Sequence, residues 1–468
     1  MVSGPAGRAP RPVAPPPAPP PVRRAVVLVA NAAAPYSRGL RVARSLEGAG
    51  FEVEIAALAE AARPEVPETE RDGRSGVVIR RYRPRGPFAR YAVGAATGSR
   101  GRRRGPLAAI RRLVDVAAKA LAWPLNARGW WAALRAELPP ADLYHACGIL
   151  TVGVALPLAA AARRAGREGR VVYDVIDVIL ESNNVAGLPR PLVAAYAARE
   201  RGWVRRADAV VTVNEPLADH LAATWPVRTR PTVLANCQPR WDPPARRPDL
   251  IRAAAGLPPE RRVVLWLGRL GRERGLEEAA EAVLGLEDAA LVMLGFGPWA
   301  ERLRERDRDP RYAGRHVTLP PVHPDDVPAW TASADATIIA VPAGSLNQRL
   351  STPNKFWESL AAGTPIVLGR DLEVMRSILE AERIGAVADP GDVADLRRAL
   401  RAVLEAPSDE REAMRARALA AARERYNWET AVVPYLALAA RLVPPPPRDA
   451  PPPLDAPPPA GGRPPVPA

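Results

Sequence analysis

The sequence predicts an α/β fold with two domains, each built around a parallel sheet. Short apolar segments typical of buried strands alternate with amphipathic segments typical of helices over residues 25–214. A proline-rich break follows at 236–248, and the alternation restarts at 262. The 468 residues, 47% of them hydrophobic, are enough for two ordinary domains. Ligands of such sheets bind beyond the carboxyl ends of the strands, so two facing halves predict a cleft between them.

The first half opens with a strand–helix–strand unit. Residues 25–30 ("AVVLVA") fit a buried strand, residues 37–50 fit a helix that ends at Gly50, and residues 51–58 fit the next strand. Further strands are predicted over residues 141–147, 170–176 and 207–214. This order is typical of a parallel sheet with crossover helices.

The second half repeats the pattern. Residues 262–268 ("RVVLWLG") predict a strand and residues 275–286 predict the helix that follows it. Further strands are predicted over residues 289–298, 316–322, 334–342 and 364–369.

Three segments depart from the alternation. Residues 1–22 and 444–468 are rich in proline and are expected to be disordered tails that bury no core. Residues 85–135 contain a basic loop and then an amphipathic helix, a combination that fits contact with an anionic membrane surface. A solvated insertion packed on the sheet is the alternative, and it is slightly favoured over the membrane contact, which concerns residues 85–120.

The charge of the chain limits its partners. The net charge of +15 indicates anionic partners, although almost all of the cations are Arg and the coding bias of the gene accounts for part of the excess. No nucleic-acid recognition motif is visible, so nucleic acid is not expected as a partner. Cys147 and Cys237 fit neither a metal site nor a disulfide framework, and the chain shows no secretory signal and no membrane-spanning stretch, so a cytoplasmic location is expected.

The stretch "STPNKFWESLAAGTP" predicts a helix that begins at the cleft. Ser351 or Thr352 can cap it, and Pro353 suits its first position. A helix start offers free N–H groups to an anion. Lys355, one of only two lysines in the chain, and Glu358 share one face of this helix and suit a phosphate and a sugar hydroxyl. An ordinary i,i+3 surface pair is the alternative.

Residues that follow two of the predicted strands supply further hydrogen-bond donors for an anion. Arg269 follows the predicted strand 262–268, and Arg274 precedes the next helix, which suits a diphosphate. The turn "GFGP" carries Gly295 and Gly297, which allow the backbone to approach a ligand closely.

Together these segments resemble a known family. The order "LGRLGRERGLEEAAEA", "LVMLGFGP", "SLNQRLSTPNKFWESLAAGTPIVLG" and "IGAVADPGD" is similar to the donor-binding half of GT-B glycosyltransferases, and in particular to the retaining family four, also called group one. The resemblance extends over residues 23–441 and is strongest over 260–395. It implies two Rossmann-like domains that face a cleft: an acceptor-side domain over 23–240, a donor-binding domain over 250–425 and a closing helix over 426–443.

The resemblance implies a reaction and its donor side. A sugar passes from a nucleotide-diphosphate-sugar to a glycan, lipid-linked or natural-product acceptor, with retention and without a metal or another cofactor. The fixed cations are Arg269, Arg274 and Lys355, which stabilise the charge that builds on the departing diphosphate. The implied donor-binding residues are Gly268, Gly295, Gly297, Val322, Asn354 and Glu358. Leu350 stands where the family usually has the first Glu of its E-x7-E motif.

The acceptor side departs further from the family pattern. Ser37, Arg38, His145 and Asp174 are the candidate acceptor-side residues. The usual "HAH" reads "HAC" here, and the "DSHE"-like segment reads "DVID". Two alternatives therefore remain open: a nucleotide-sugar epimerase of GT-B fold, and a catalytically inactive GT-B partner subunit.

Overall fold

The computed structural model describes residues 22–34, 36–60, 63–85, 127–182, 185, 188–272 and 274–445. The basic loop and amphipathic helix predicted within 85–120 lie outside these residues, except for residue 85, as does nearly all of each predicted tail. Among the described residues, no helix is both long and apolar enough to cross a membrane.

The first domain contains an eight-stranded sheet in the order β3-β4-β2-β1-β5-β6-β7-β8. The strands are β1 Arg24–Val29, β2 Glu52–Leu58, β3 Thr69–Arg71, β4 Val78–Tyr82, β5 Leu143–Cys147, β6 Arg170–Val175, β7 Ala209–Thr212 and β8 Thr232–Val233. Among the strands that the described residues form in this sheet, only the β3–β4 pair is antiparallel.

The second domain contains a six-stranded parallel sheet in the order β11-β10-β9-β12-β13-β14. The strands are β9 Arg262–Arg269, β10 Ala289–Phe296, β11 His316–Leu319, β12 Ala336–Ile339, β13 Ile366–Gly369 and β14 Gly385–Ala388. The two parallel sheets confirm the predicted α/β class.

Helices follow most of the strands. In the first domain they are α1 Ser37–Gly48, α2 (127–137), α3 Ile149–Arg164, α4 Arg190–Val204 and α5 Glu215–Thr224. In the rest of the chain they are α6 Leu250–Ala255, α7 Leu276–Leu284, α8 Ala300–Asp307, α9 Val327–Ala332, α10 Leu346–Leu350, α11 Asn354–Ala361, α12 Glu373–Glu382, α13 Val393–Leu404, α14 Ser408–Glu424, α15 Trp428–Ala431 and α16 Val433–Leu442.

Each sheet has an apolar core on both of its faces. Val26 and Leu28 belong to one core of the first domain, whereas their neighbours Val27 and Val29 belong to the other. Side chains alternate across a strand, so a strand covered on both faces must be apolar at every position. This requirement explains why the central strands appear in the sequence as continuous apolar runs.

The chain crosses between the domains twice. Residues 234–249 form the first connection, with neither helix nor strand. The second runs through α15 to α16, where Tyr435 and Leu438 pack in the same core as Val27 of the first domain. The backbone N–H of Trp428 donates to the carbonyl of Gln238 at 2.9 Å, so the two crossings lie side by side.

Candidate active site

The site lies where the two domains meet, at the carboxyl ends of the second sheet. Asn354, the first residue of α11, donates from Nδ2 to Oγ of Ser37, the first residue of α1, over 3.3 Å. Asn354 Oδ1 also accepts a hydrogen bond from Asn236, in the first crossing. The predicted cleft therefore brings together the start of one helix from each domain.

Glycines shape the floor of the site. Gly295 on β10 is paired with Gly268 on β9, and a Cβ at Gly295 would lie 1.8 Å from the Gly268 carbonyl oxygen. Gly297 has φ +147°, and a Cβ there would lie 2.2 Å from the carbonyl oxygen of Leu270. Gly268 itself has φ +104° with open space at its Cβ position. The backbone at these strand ends is thus closely packed and faces an open region beside Gly268.

Replacing Gly295 with Ala is expected to destabilise the second domain by about 1–3 kcal/mol, because a methyl group cannot fit against the Gly268 backbone. Urea unfolding monitored by circular dichroism measures this change. Gly48→Ala is the matched control, since Gly48 lies in α1 with nothing within 4 Å of its Cβ position, and it should stabilise the protein slightly. Equal effects of the two variants would contradict the expected close packing.

Three predicted cations stand at strand and helix ends in this part of the second domain. Arg269 ends β9 and is exposed, and Arg274 is exposed just before α7. The ammonium of Lys355, in the first turn of α11, is buried and has no hydrogen-bond partner among the described residues. Burial lowers the pKa of Lys355 to about 7; the nearby charge of Arg274 lowers it further and Glu358 opposes the change. The structure therefore places Arg274, Lys355 and Glu358 close to one another.

Lys355 rests on an aromatic ring. Its Nζ lies 3.6 Å from the ring centroid of Trp266, which is fully buried in β9. A desolvated cation over an indole face gains about 2 kcal/mol or more. This contact partly replaces the water that the ammonium has lost.

Glu358 lies between cations of both domains. Burial raises the pKa of Glu358 to about 7, and the charges of Arg41 and Lys355 act in the opposite direction. Arg41 comes from α1 and donates to Oδ1 of Asn236 over 2.5 Å and to Oε1 of Gln238 over 3.2 Å. A cation of the first domain thus helps to keep Glu358 ionised.

Two expectations about this segment need correction. Helix α11 begins at Asn354, with Pro353 as its N-cap residue, and neither Ser351 nor Thr352 provides the cap. The side chain of Asn354 bonds to Ser37 of the first domain and to Asn236 of the first crossing, and its donor-binding role stays a prediction. Lys355 and Glu358 are not an ordinary surface pair, since Lys355 is 7% exposed. Gly363, with φ +66°, follows the end of the helix as predicted.

Leu350 contacts the first domain rather than the donor side. It packs in the same apolar core as Val213 and Leu217, and its carbonyl accepts a hydrogen bond from Asn214 Nδ2 at 2.7 Å. A carboxylate could not be buried there without a partner. The surroundings of residue 350 thus explain why the first Glu of the motif is missing.

In this arrangement of the domains Arg38, His145 and Asp174 bind one another, and their acceptor-side role stays a prediction. Arg38 binds both oxygens of Asp174, over 2.7 and 2.8 Å, and His145 Nε2 lies 3.1 Å from Oδ2 of the same carboxylate. All three are almost completely buried. Salt-bridge formation with Arg38 outweighs the effect of burial and lowers the pKa of Asp174 to about 2. The three side chains join β5, β6 and α1 into a buried network, and of the four candidates only Ser37 borders the cleft.

The same network contains a spacing that could suit a metal ion. One ligand atom each from His145, Cys147 and Asp174 lies within 4.8 Å of the others. However, Arg38 occupies both oxygens of Asp174, and His145 Nδ1 lies 3.0 Å from the hydroxyl of Tyr435. These atoms already have partners within the protein.

Val322 follows the end of β11 in the second domain. It is half-buried and packs, like Leu319, against the apolar core that contains Leu294. It remains a predicted neighbour of the donor base.

Sequence reasoning missed Trp266 and Arg41. Trp266 is one apolar residue in a buried strand, and only its place two residues before Gly268 on the same face indicates a role at the strand end. Arg41 lies in the other domain, one helical turn after Ser37. Because Arg41 lies on the same helix face as Ser37, the sequence could have indicated that both side chains lie near the cleft.

The fold defines the class of protein. The structure matches sucrose-phosphate synthase from Thermosynechococcus elongatus with a TM-score of 0.62 and 17% identity, over 90% of this chain and 99% of that one. It matches Anabaena HepE in complex with UDP and glucose with a TM-score of 0.59 and 16% identity, over 90% of this chain and 99% of that one. The chain therefore has the GT-B fold, as the resemblance implied.

The second domain is similar to a known family. Residues 249–421 match the model of the family described as glycosyl transferases group 1. This match agrees with the resemblance that the sequence predicted for this part of the chain. Retention and the residue assignments stay predictions.

Curated relatives are similar over parts of their length. A 2-deoxystreptamine N-acetyl-D-glucosaminyltransferase of Streptomyces fradiae is 29% identical over 43% of this chain and 48% of its own. A 2-deoxystreptamine glucosyltransferase of Streptomyces kanamyceticus is 27% identical over 58% of this chain and 70% of its own. A GDP-mannose-dependent alpha-(1-6)-phosphatidylinositol monomannoside mannosyltransferase of Mycobacterium tuberculosis is 31% identical over 43% of this chain and 51% of its own. The match thus spans about half the length of the first and third relatives.

Proposed function

We propose that the protein is a glycosyltransferase that moves a sugar from a nucleotide-diphosphate-sugar to an acceptor hydroxyl, with retention at the anomeric carbon. The observation that carries this proposal is the buried ammonium of Lys355, which has no hydrogen-bond partner among the described residues and lies at the start of α11. An unneutralised buried cation is costly to keep, so its presence favours an anionic ligand. Arg274 and Glu358 beside it fit a diphosphate and a sugar hydroxyl.

The chemistry follows from the charges. When the bond between the anomeric carbon and the diphosphate oxygen breaks, negative charge builds on the diphosphate. Arg269, Arg274 and Lys355 stand at the strand and helix ends where that charge would be stabilised before any solvent rearrangement. Glu358, between Lys355 and Arg41, would accept a hydrogen bond from a donor hydroxyl.

We further propose that these cations make a metal ion unnecessary. The three side chains supply the positive charge that a divalent ion otherwise brings to a departing diphosphate. EDTA should leave the rate unchanged. A loss of rate that Mg²⁺ or Mn²⁺ restores would contradict this.

The proposed acceptor is a polyhydroxylated ring. Both Streptomyces relatives act, by their names, on 2-deoxystreptamine, and the mycobacterial relative acts on a phosphatidylinositol monomannoside. Free 2-deoxystreptamine and a lipid-linked inositol glycoside are therefore the first acceptors to compare.

The test incubates the purified protein with labelled UDP-, GDP-, dTDP- and ADP-sugars and each acceptor, and measures nucleoside diphosphate release and product configuration. Release from one donor, lost in Glu358→Gln but kept in the exposed control Glu405→Gln, supports the proposal. Sugar isomerisation without release would indicate the epimerase. Donor binding without turnover on any acceptor would indicate an inactive partner subunit.

Location at the inner face of a membrane is a separate proposal that rests on the sequence alone. The basic segment 85–120 would bind anionic lipid through its arginines. Vesicles that contain phosphatidylglycerol should retain the protein at low salt and release it at high salt. A variant without residues 86–120 that is retained equally well would contradict the proposal.

A further inference from the structure

Trp266 and Lys355 form a contact that none of the predicted roles uses. Trp266 is fully buried in the middle of the second sheet, and its ring centroid lies 3.6 Å from Nζ of Lys355. Lys355 is 7% exposed, and its Nζ has no hydrogen-bond partner among the described residues.

The type of partner determines whether the Lys355 ammonium can still bind an anionic ligand. A carboxylate would neutralise the charge and take up N–H donors, as Asp174 does for Arg38. The face of an indole ring attracts the cation through its quadrupole without accepting a conventional hydrogen bond. A lysine ammonium held in this way is not neutralised by its partner, and its N–H groups make no conventional hydrogen bond to the described residues.

The residues around Lys355 indicate where a ligand would bind its N–H groups. Gly268 lies two residues after Trp266 on the same strand face, and there is open space at its Cβ position. Arg274 lies near enough to affect the charge of Lys355, as does Glu358. The charged groups that face Lys355 are thus Arg274 before α7 and Glu358 on α11, with Arg41 of α1 beside Glu358.

We propose that Trp266 is a positioning residue, whose ring face holds the buried Lys355 ammonium near Arg274 and Glu358 and leaves its N–H groups for the diphosphate of a donor. The assignment of the diphosphate rests on the proposed function, whereas the holding of the ammonium rests on the contact alone. The contact also accounts for a lysine at this position in a chain that otherwise uses arginine. A guanidinium also stacks on aromatic rings, but it spreads the charge over a larger planar group instead of concentrating it at one buried point.

The two lysines of the chain make the contact directly measurable. Lysine labelled with ¹³C at Cε gives two signals by NMR, and Lys355→Met identifies the one from Lys355. The midpoint of its titration is expected near pH 7, where burial and Arg274 have lowered the pKa. Trp266→Leu should lower the midpoint by about one pH unit, because the charged form loses its ring partner, and Trp266→Phe should lie between. An unchanged midpoint in folded Trp266→Leu would overturn the proposal.

A binding experiment tests the second half of the proposal. Calorimetry with UDP, GDP, dTDP and ADP identifies the nucleoside diphosphate that the wild-type protein binds. Trp266→Leu should weaken that binding about tenfold at pH 7.5, and should have no further effect when Lys355→Met is already present. Equal weakening in both backgrounds would show a merely structural role and overturn the assignment. Binding of none of the four ligands by the wild-type protein would overturn the diphosphate role and the proposed function, while the NMR titration would still decide the contact.

Discussion

Lys355→Met is expected to reduce kcat/KM for nucleoside diphosphate release by about 10²–10³-fold while leaving the protein at least as stable as before. The rate falls because one fixed cation at the departing diphosphate is lost. Stability does not fall, because the change removes a buried ammonium that has no hydrogen-bond partner among the described residues and keeps a side chain of similar length. Initial rates measured over a range of donor concentrations and thermal unfolding provide the two readouts.

Lys355→Arg separates the effect of the positive charge from the effect of side-chain shape. It keeps the positive charge but places a planar fork where a compact ammonium contacts Trp266. We expect a large loss of rate in this variant too. Full activity in Lys355→Arg, or a large loss of stability in Lys355→Met, would contradict the assigned role.

The same lysine predicts two opposite pH dependences. Its folded pKa of about 7 lies below the ordinary value, so the unfolded state binds more protons between about pH 7 and 10.4 and the free energy of unfolding rises across that window. Donor binding needs the charged form and should weaken as the pH rises through about 7. Glu358, whose folded pKa is raised to about 7, acts in the opposite direction. Its contribution to the free energy of unfolding falls as the pH rises from about 4.3 to 7. Comparing the wild-type protein with Lys355→Met isolates the contribution of the lysine.

Asp174→Ala is expected to lower the free energy of unfolding by about 3–5 kcal/mol. The change leaves the buried guanidinium of Arg38 without its carboxylate and removes the partner of His145 Nε2. Urea unfolding at pH 7 measures the loss. Because the folded pKa of Asp174 is about 2 and the unfolded value about 3.9, the stabilisation is complete above about pH 4 and is lost as the pH falls through 2.

Two controls accompany Asp174→Ala. Glu405→Ala breaks the exposed pair with Arg401, which is 3.8 Å long, and should not change the midpoint. Arg38→Met combined with Asp174→Ala should recover part of the loss, because no uncompensated charge remains. A double variant as unstable as the single one would show that the ion pair is not the source of the effect.

The central strands of both sheets could be predicted because burial on two faces leaves an unbroken apolar run, as in Val26–Val29. β4 could not, since its segment contains Arg80 and Arg81. Arg81 is 3% exposed, and it is neutralised by Glu70 and bonded to two backbone carbonyls. A charged residue inside a strand looks solvent-exposed in the sequence until its partners are known.

The residues of the sugar-donor side could be predicted from the sequence more readily than those of the acceptor side. Arg269, Arg274 and Lys355 stand at ends of strands and helices, and topology alone brings such ends together. The environment of Arg38 depends on Asp174, which lies on a different strand. No local pattern distinguishes an arginine that faces a ligand from one that closes a buried ion pair.

The docking of α10 on the first domain makes the opening of the cleft depend on temperature. Leu346, Leu350 and Val374 of the second domain pack in a core of the first, so opening the cleft exposes apolar surface. Such exposure carries a positive heat capacity change, and the contact therefore weakens on cooling. The open population should accordingly grow as the temperature falls below ambient, and small-angle scattering at several temperatures would record this as an increase in the radius of gyration.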